Sequence, residues 1–238
     1  MTQAPSVVPA RGAVRRETAD TRIREAAVRL FAQRGFAGTG IREIATEAGV
    51  TSAALYHWVG TKEQLLVEIM GDVLEGLISA ADQISQALER PDARLAALAE
   101  HHVWFHAVHQ LATIVTDTEL RALGSETRAG VIGLRDRYER IWQGVVVAGV
   151  NDGVFRVDDP RIATTALLQL CTGVAHWYQA TGPLTLTRLC RIHADLALSM
   201  VRATRDGVEV RADDLDLPSP ASGFAVIRTG PASDVSPG

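Results

Sequence analysis

The chain has 238 residues, 47% of them apolar and 5% aromatic, with a formal net charge of −4. That length holds one large or two small domains, and the Ala-, Leu- and Val-rich composition suits packed helices better than stacked sheets. No apolar run approaches the roughly 20 residues that span a bilayer, and residues 1–10 lack the basic start and apolar core of a secretory signal. Cys171 and Cys190 both lie in apolar helical patterns and fit buried thiols in a reducing compartment, so a cytoplasmic protein is expected.

Charge is unevenly distributed. Residues 1–62 carry nine basic and five acidic side chains, net +4, and the remainder is net −8. All basic residues but Lys62 are arginines. A basic head on an acidic body implies that the head meets a polyanion.

In chain order, residues 1–16 carry Arg11, Arg15 and Arg16 without apolar periodicity. They are expected to be a flexible basic arm that either reaches a minor groove or stays mobile. From about Thr18 a helix is expected, because Ile23, Ala26, Ala27, Leu30 and Phe31 share one face, and Gly35 ends it. Arg22, Arg24 and Arg29 fit a solvated face, with one of them available for phosphate. A short helix over 41–48 places Ile41, Ile44, Ala45 and Ala48 on one face. Gly49 breaks it, Thr51 caps a second short helix over 52–58, and Thr61–Gln64 forms a capping box for a third. Two short helices across a tight Gly turn make a helix-turn-helix. The outward side of its second helix, with Ser52, Ala53, Ala54 and His57, is small and polar enough for a major groove about 12 Å wide.

The body reads as helices near 62–75, 77–89, 92–112, 116–122, 125–149, 160–180 and 185–204, with Asp159-Pro160 as a start and Gly182-Pro183 as a stop. From Arg205 on, Asp, Pro, Ser and Gly dominate, and the patch Phe224–Ile227 is too short for a core, so residues 205–238 are expected to be a flexible tail. The fold class is therefore all-α. An N-terminal three-helix head (17–64) is expected to bind DNA, and a helical body (65–204) follows it.

The run Thr39-Gly40-Ile41-Arg42-Glu43-Ile44-Ala45, followed by Ala48-Gly49-Val50-Thr51, Leu55-Tyr56-His57-Trp58 and Gly60-Thr61-Lys62-Glu63-Gln64-Leu65, resembles the TetR family of repressors. Arg29–Phe36 resembles that family's first helix and its exit. The resemblance implies DNA contacts at Thr39, Arg42, Thr51, Ser52, Ala53, Ala54, Tyr56, His57 and Lys62. Tyr56 and Lys62 match phosphate contacts; Ser52, Ala53, Ala54 and His57 match groove-facing positions. Tyr56 also fits a core aromatic, and Lys62 a solvated helix start. Two departures are Gly40, where a hydroxyl residue is frequent, and Val59, where Phe is frequent beside Trp58.

The resemblance further implies a homodimer built on the last two long helices. Candidate stripes are Ala163, Ala166, Leu167, Leu170 and Val174, and Leu189, Ile192, Ala194, Leu196, Ala197, Met200 and Val201; they fit a dimer face or the monomer core. The segments His101–Ala107, Glu119–Leu123, Gly149 with Gly153-Val154-Phe155, and Val174–Tyr178 resemble the subgroup that senses fatty-acyl or steroid-derived CoA thioesters. That resemblance implies an apolar effector site with Trp104, Phe105, His106, Trp142, Trp177 and Tyr178. Arg121, Arg128, Arg135, Arg137 and Arg140 are available for CoA phosphates or for surface ion pairs.

His102, His106 and His109 share a face and fit either a transition metal or pocket and core histidines; with no carboxylate or cysteine completing a set, no metal and no cofactor are expected. No phosphate loop, nucleophile elbow or zinc signature is present, so no enzyme is expected. The expected function is a ligand-responsive repressor released from a palindromic operator by an apolar effector; a repressor answering a non-CoA ligand is the alternative. Its partners are double-stranded DNA, the effector and a second copy, with no membrane.

Overall fold

The computed structural model describes residues 11–221. Residues 1–10 of the expected basic arm and the patch Phe224–Ile227 lie outside them. The element order is α1 (Arg11–Arg34), α2 (Ile41–Glu47), α3 (Ser52–Val59), α4 (Lys62–Ala87), α5 (Pro91–Val108), α6 (Gln110–Thr118), a 3₁₀ turn (Glu119–Ala122), α7 (Ser125–Asn151), α8 (Pro160–Thr172), α9 (Val174–Trp177) and α10 (Leu186–Met200). A two-stranded antiparallel hairpin, β1 (Thr204–Arg205) and β2 (Val208–Glu209), and a 3₁₀ turn (Ala212–Asp214) follow.

The first three helices close a small core through Ile23, Ala27, Phe31, Ile44, Ala45, Leu55 and Val59, all buried. α4 carries that core into the body. Two expected helices over 62–89 are one, roughly 39 Å long, because Leu74, Gly76, Leu77 and Ile78 are buried without a proline or cap between them. Thr61 accepts from Gln64 N–H and Gln64 Oε1 accepts from Thr61 N–H, as the capping box requires.

In the body, α10 packs chiefly on α5, while α7 lies against α4, α5 and α8. The expected helix over 92–112 breaks at His109 (φ −104°, ψ 36°) and resumes as α6. Neither Gly nor Pro marks this break. The expected helix over 160–180 ends at Thr172, with Gly173 joining it to the single turn of α9.

Two boundaries differ from the sequence expectation. α1 begins at Arg11 rather than near Thr18, so Arg11, Arg15 and Arg16 belong to a helix and not to a loose arm. Residues 203–215 are not a loose tail: Ala203, Val210, Ala212 and Leu215 are buried against the body. Thr204 N–H donates to Val154 O, Arg191 donates to Ala212 O, and Ala212 N–H donates to Asp195 Oδ1.

Candidate nucleic-acid interface and effector core

The head is built to hold α3 outward. Ile44, Ala45 and Ala48 turn inward from α2, and Gly49 makes the turn at φ +67°, where a side chain would be strained. Val50 N–H then donates to Ala45 O. Thr51, exposed, caps α3 by accepting from Ala54 N–H at 3.1 Å. With Leu55 and Val59 buried, the opposite side of α3 presents Ala53, Tyr56 and His57 to solvent, with Ser52 and Ala54 half-buried at its edges. Tyr56 is 53% exposed, so it is not a core aromatic. Arg42 is exposed on α2 beside this face. Val59 fills the core, and Trp58 packs half-buried against it. Gly40 N–H is taken by Glu43 Oε2 at 2.7 Å.

Two expected DNA contacts face the other way. Thr39 is 2% exposed, and its hydroxyl donates to Gly35 O (2.9 Å) and lies 3.3 Å from Leu30 O. Lys62 Nζ donates to Phe36 O (2.7 Å) and Thr39 O (2.8 Å) and sits 4.1 Å over the Phe36 ring. Both side chains fasten the turn between α1 and α2, adding donors to carbonyls there, of which Phe36 O also accepts from Thr39 N–H. Arg24 likewise is no phosphate ligand. It is buried and paired with Asp20, Glu68 and Asp72. Arg29 pairs with Glu47 and Arg34 with Glu43, so much of the head's positive charge is spent on its own bracing.

In the body, the expected effector residues divide. His102 stacks on His106 at 4.0 Å and meets the Trp142 ring edge at 5.7 Å; Phe105 lies 6.3 Å from His106. The His102 ring nitrogens meet the Tyr138 hydroxyl (2.9 Å) and the Thr172 hydroxyl (3.1 Å). Burial pushes His106 down to about 4 and lowers His102 well below its ordinary value, so both are neutral near pH 7. Trp142 is wholly buried, and its indole N–H makes no well-formed hydrogen bond among the described residues, although it lies close enough to the Tyr138 hydroxyl to act on it. Such a donor points to a bound acceptor. Trp104 is half-buried beside His101 and His109, and Tyr178 is buried, its carbonyl accepting from Gln110. Trp177 is the exception: it is 54% exposed and stacks on His193, because α9 ends there and turns the ring outward. It is removed from the effector set. Among the described residues no group of three or more His, Cys, Asp or Glu is placed to hold a metal.

A separate cleft of about 400 Å³ opens between α1, α4 and α7. Glu68, Asp72 and Glu75 line it, which disfavours an anionic ligand. Of the arginines considered for CoA phosphates, Arg135 is bound to Asp117 and the Thr116 carbonyl, and Arg137 to Asp82. Arg121, Arg128 and Arg140 make no ion pair among the described residues.

Sequence reasoning missed the junction of head and body. Glu119 Oε2 accepts from Phe36 N–H at 3.2 Å. Glu63 Oε1 accepts from Gly124 N–H (2.9 Å) and the Thr127 hydroxyl (2.7 Å), which holds its carboxyl below the usual range. No local pattern signals contacts between residues so far apart in the chain.

The family model of bacterial regulatory proteins, tetR family, matches residues 23–69, and that of the tetracyclin repressor-like C-terminal domain matches 88–201. The transcriptional repressor KstR2 of Mycobacterium tuberculosis is 30% identical over 188 residues, covering 77% of this chain and 92% of that protein. The chain belongs to the TetR family. Among solved structures, the TetR-family regulator PfmR from Thermus thermophilus is 30% identical, with a TM-score of 0.69 over 77% of this chain and 99% of that one. AibR in complex with isovaleryl coenzyme A and operator DNA is 26% identical, with a TM-score of 0.68 over 75% and 97%. This TetR-family chain is a ligand-responsive, DNA-binding transcriptional repressor. No helix among the described residues is long and apolar enough to cross a membrane.

Proposed function

We propose that this repressor leaves its operator when an acyl- or steroid-derived CoA thioester enters the body. The carrying observation is the buried aromatic core of Phe105, His106, Tyr138 and Trp142, in which the indole N–H of Trp142 has no better acceptor than the neighbouring Tyr138 hydroxyl. An acyl or ring system fills such a core, and a carbonyl satisfies the donor. The names of KstR2, a ketosteroid regulator, and of the AibR complex support this class. Arg121, Arg128 and Arg140 are the cations available for the phosphates.

On DNA, Arg42, the Thr51 hydroxyl and Tyr56 contact phosphate, and Ser52, Ala53, Ala54 and His57 face the major groove. Ala53 and Ala54 select thymine methyls. The second copy docks on α8 and α10, where Ile162, Ile192, Leu196 and Met200 remain exposed; the last three recur every four residues on one face of α10. Leu167, Val174, Leu189, Ala194, Ala197 and Val201, which the sequence also offered for this face, are buried within the monomer.

A thermal-shift series with isovaleryl-CoA, longer acyl-CoAs and steroid-CoA thioesters, followed by a band shift on the DNA upstream of its own gene, tests the reading. A thioester that raises the midpoint and releases DNA supports it. Release by free acids or unconjugated steroids, with no CoA thioester active, shows a non-CoA effector.

A further inference from the structure

Beyond the family match, which stops at residue 201, the chain continues as an ordered strap. Its base is well held. Ala203, Val210, Ala212 and Leu215 are buried. Arg205 pairs with the wholly buried Asp92, and Arg191 ties Glu100 to Asp213 and to Ala212 O. From Asp92 to His101 the strap follows α5 over roughly 14 Å.

The end of the strap is different. Asp216–Ala221 has no fully buried side chain, and only Leu217, half-buried, packs against the core. Pro218 and Pro220 stiffen it up to the turn at Pro220–Ala221, leaving little backbone entropy to lose on docking. There the Pro220 carbonyl lies 3.0 Å from His101 Nδ1. A carbonyl has no proton to give, so His101 Nδ1–H is the donor. His101 is 2% exposed, lies 5.9 Å from the Phe105 ring, and precedes His102 on the helix that carries the effector core.

We infer that Asp216–Ala221 is a releasable lid whose Pro220 carbonyl occupies the place at His101 of an effector's own carbonyl. Opening the lid exposes one directed N–H donor at the edge of an apolar core. The group it takes is a hydrogen-bond acceptor, and a ketone, ester or thioester carbonyl reproduces the one it replaces. The lid thereby sets both access and selectivity. The selectivity rests on the effector reading above; the access does not.

The test uses the full chain carrying Pro218→Gly and Pro220→Gly, beside the unaltered protein and a chain stopped after Leu215, which keeps all four buried anchors. Diethylpyrocarbonate labelling at pH 7, mapped by mass spectrometry, reads access to His101 without any ligand. At least fivefold faster labelling of His101 in the glycine variant is expected, and more in the stopped chain, with His102 and His106 still slow. Equal His101 rates in folded proteins overturn the lid. Faster labelling of all three histidines together also overturns it, as general loosening. In the second arm, isovaleryl-CoA and a steroid-CoA thioester are titrated against labelled operator. Half-release at several-fold lower concentration in both altered chains is expected; an unchanged concentration for a thioester that does act removes the carbonyl-competition claim. If neither thioester acts on any chain while His101 labelling still accelerates, the CoA reading fails and the lid stands.

Discussion

Lys62, the one lysine of the chain, shows how a residue at a DNA-facing position can serve the fold. Its ammonium satisfies two carbonyls at the α1–α2 turn and stacks on Phe36. Charged hydrogen bonds of this kind contribute about 1.5–3 kcal/mol each. Lys62→Met is therefore expected to lower the melting midpoint by several degrees, since 1 kcal/mol corresponds to about 2–4 °C at this size. The slope of log affinity against log salt is expected to stay unchanged, because no phosphate charge is lost. A slope reduced by about one, with an unaltered midpoint, would return Lys62 to the phosphates. Tyr56 is the converse. With half its surface exposed, Tyr56→Phe is expected to leave the melting midpoint in place and to cost about 1 kcal/mol of operator binding. An unchanged operator affinity in a titration would assign the hydroxyl to solvent alone.

At the scale of elements, α5 concentrates the unusual chemistry. Burial pushes His101, His106 and His109 down to about 4 and lowers His102 well below its ordinary value. In the unfolded chain these imidazoles titrate near 6.5, so between pH 6.5 and 4 the unfolded state binds more protons. Their contribution to stability is complete above pH 6.5 and is lost as pH falls through that window. Each buried histidine adds about 1.4 kcal/mol per pH unit to the slope. Thermal melts from pH 7.5 to 4.5 are expected to fall steeply below 6.5, and His106→Leu is expected to flatten that fall. An undiminished slope in the variant would show that the stack does not exclude protons. The α5 pattern illustrates what was legible in the sequence. Helix existence and the inward faces of α1, α2 and α3 follow from spacing, and the caps Thr51, Thr61 and Asp159 mark starts that the backbone respects. The break at His109 was not legible, because tertiary contacts of Phe105 and Gln110, rather than a helix-breaking residue, decide it. The packing of 203–215 was hidden for a related reason. Its buried residues, Val210, Ala212 and Leu215, are spaced irregularly among acids, and only the surface of α10 shows what they cover. Thr39, Lys62 and Trp177 were misplaced because side-chain direction in a turn is set by partners distant in sequence.

Across the whole molecule, head and body are joined by more than α4. Glu119 and Glu63 grip the chain from opposite sides of the junction, one holding Phe36 in the head and the other holding Gly124 and Thr127 at the start of α7. α6 leads from the effector core to this junction: Gln110 at its start donates to Ala175 and Tyr178 carbonyls, and Glu119 follows its end. A displacement at the core thus reaches the head through a short rigid helix and two carboxylates. A two-headed reader of a palindrome depends on head spacing, set at about 34–36 Å per helical turn of DNA. Replacing both carboxylates, Glu63→Ala with Glu119→Ala, removes three backbone or hydroxyl contacts without opening the core. The freed heads are then expected to sample a wider range of separations. Spin labels placed on Thr46→Cys read this directly, since Cys171 and Cys190 are buried. The distance distribution across the dimer is expected to broaden, and operator affinity to fall about three- to tenfold through lost preorganisation. A distribution of unchanged width in a folded dimer would place the coupling in α4 alone.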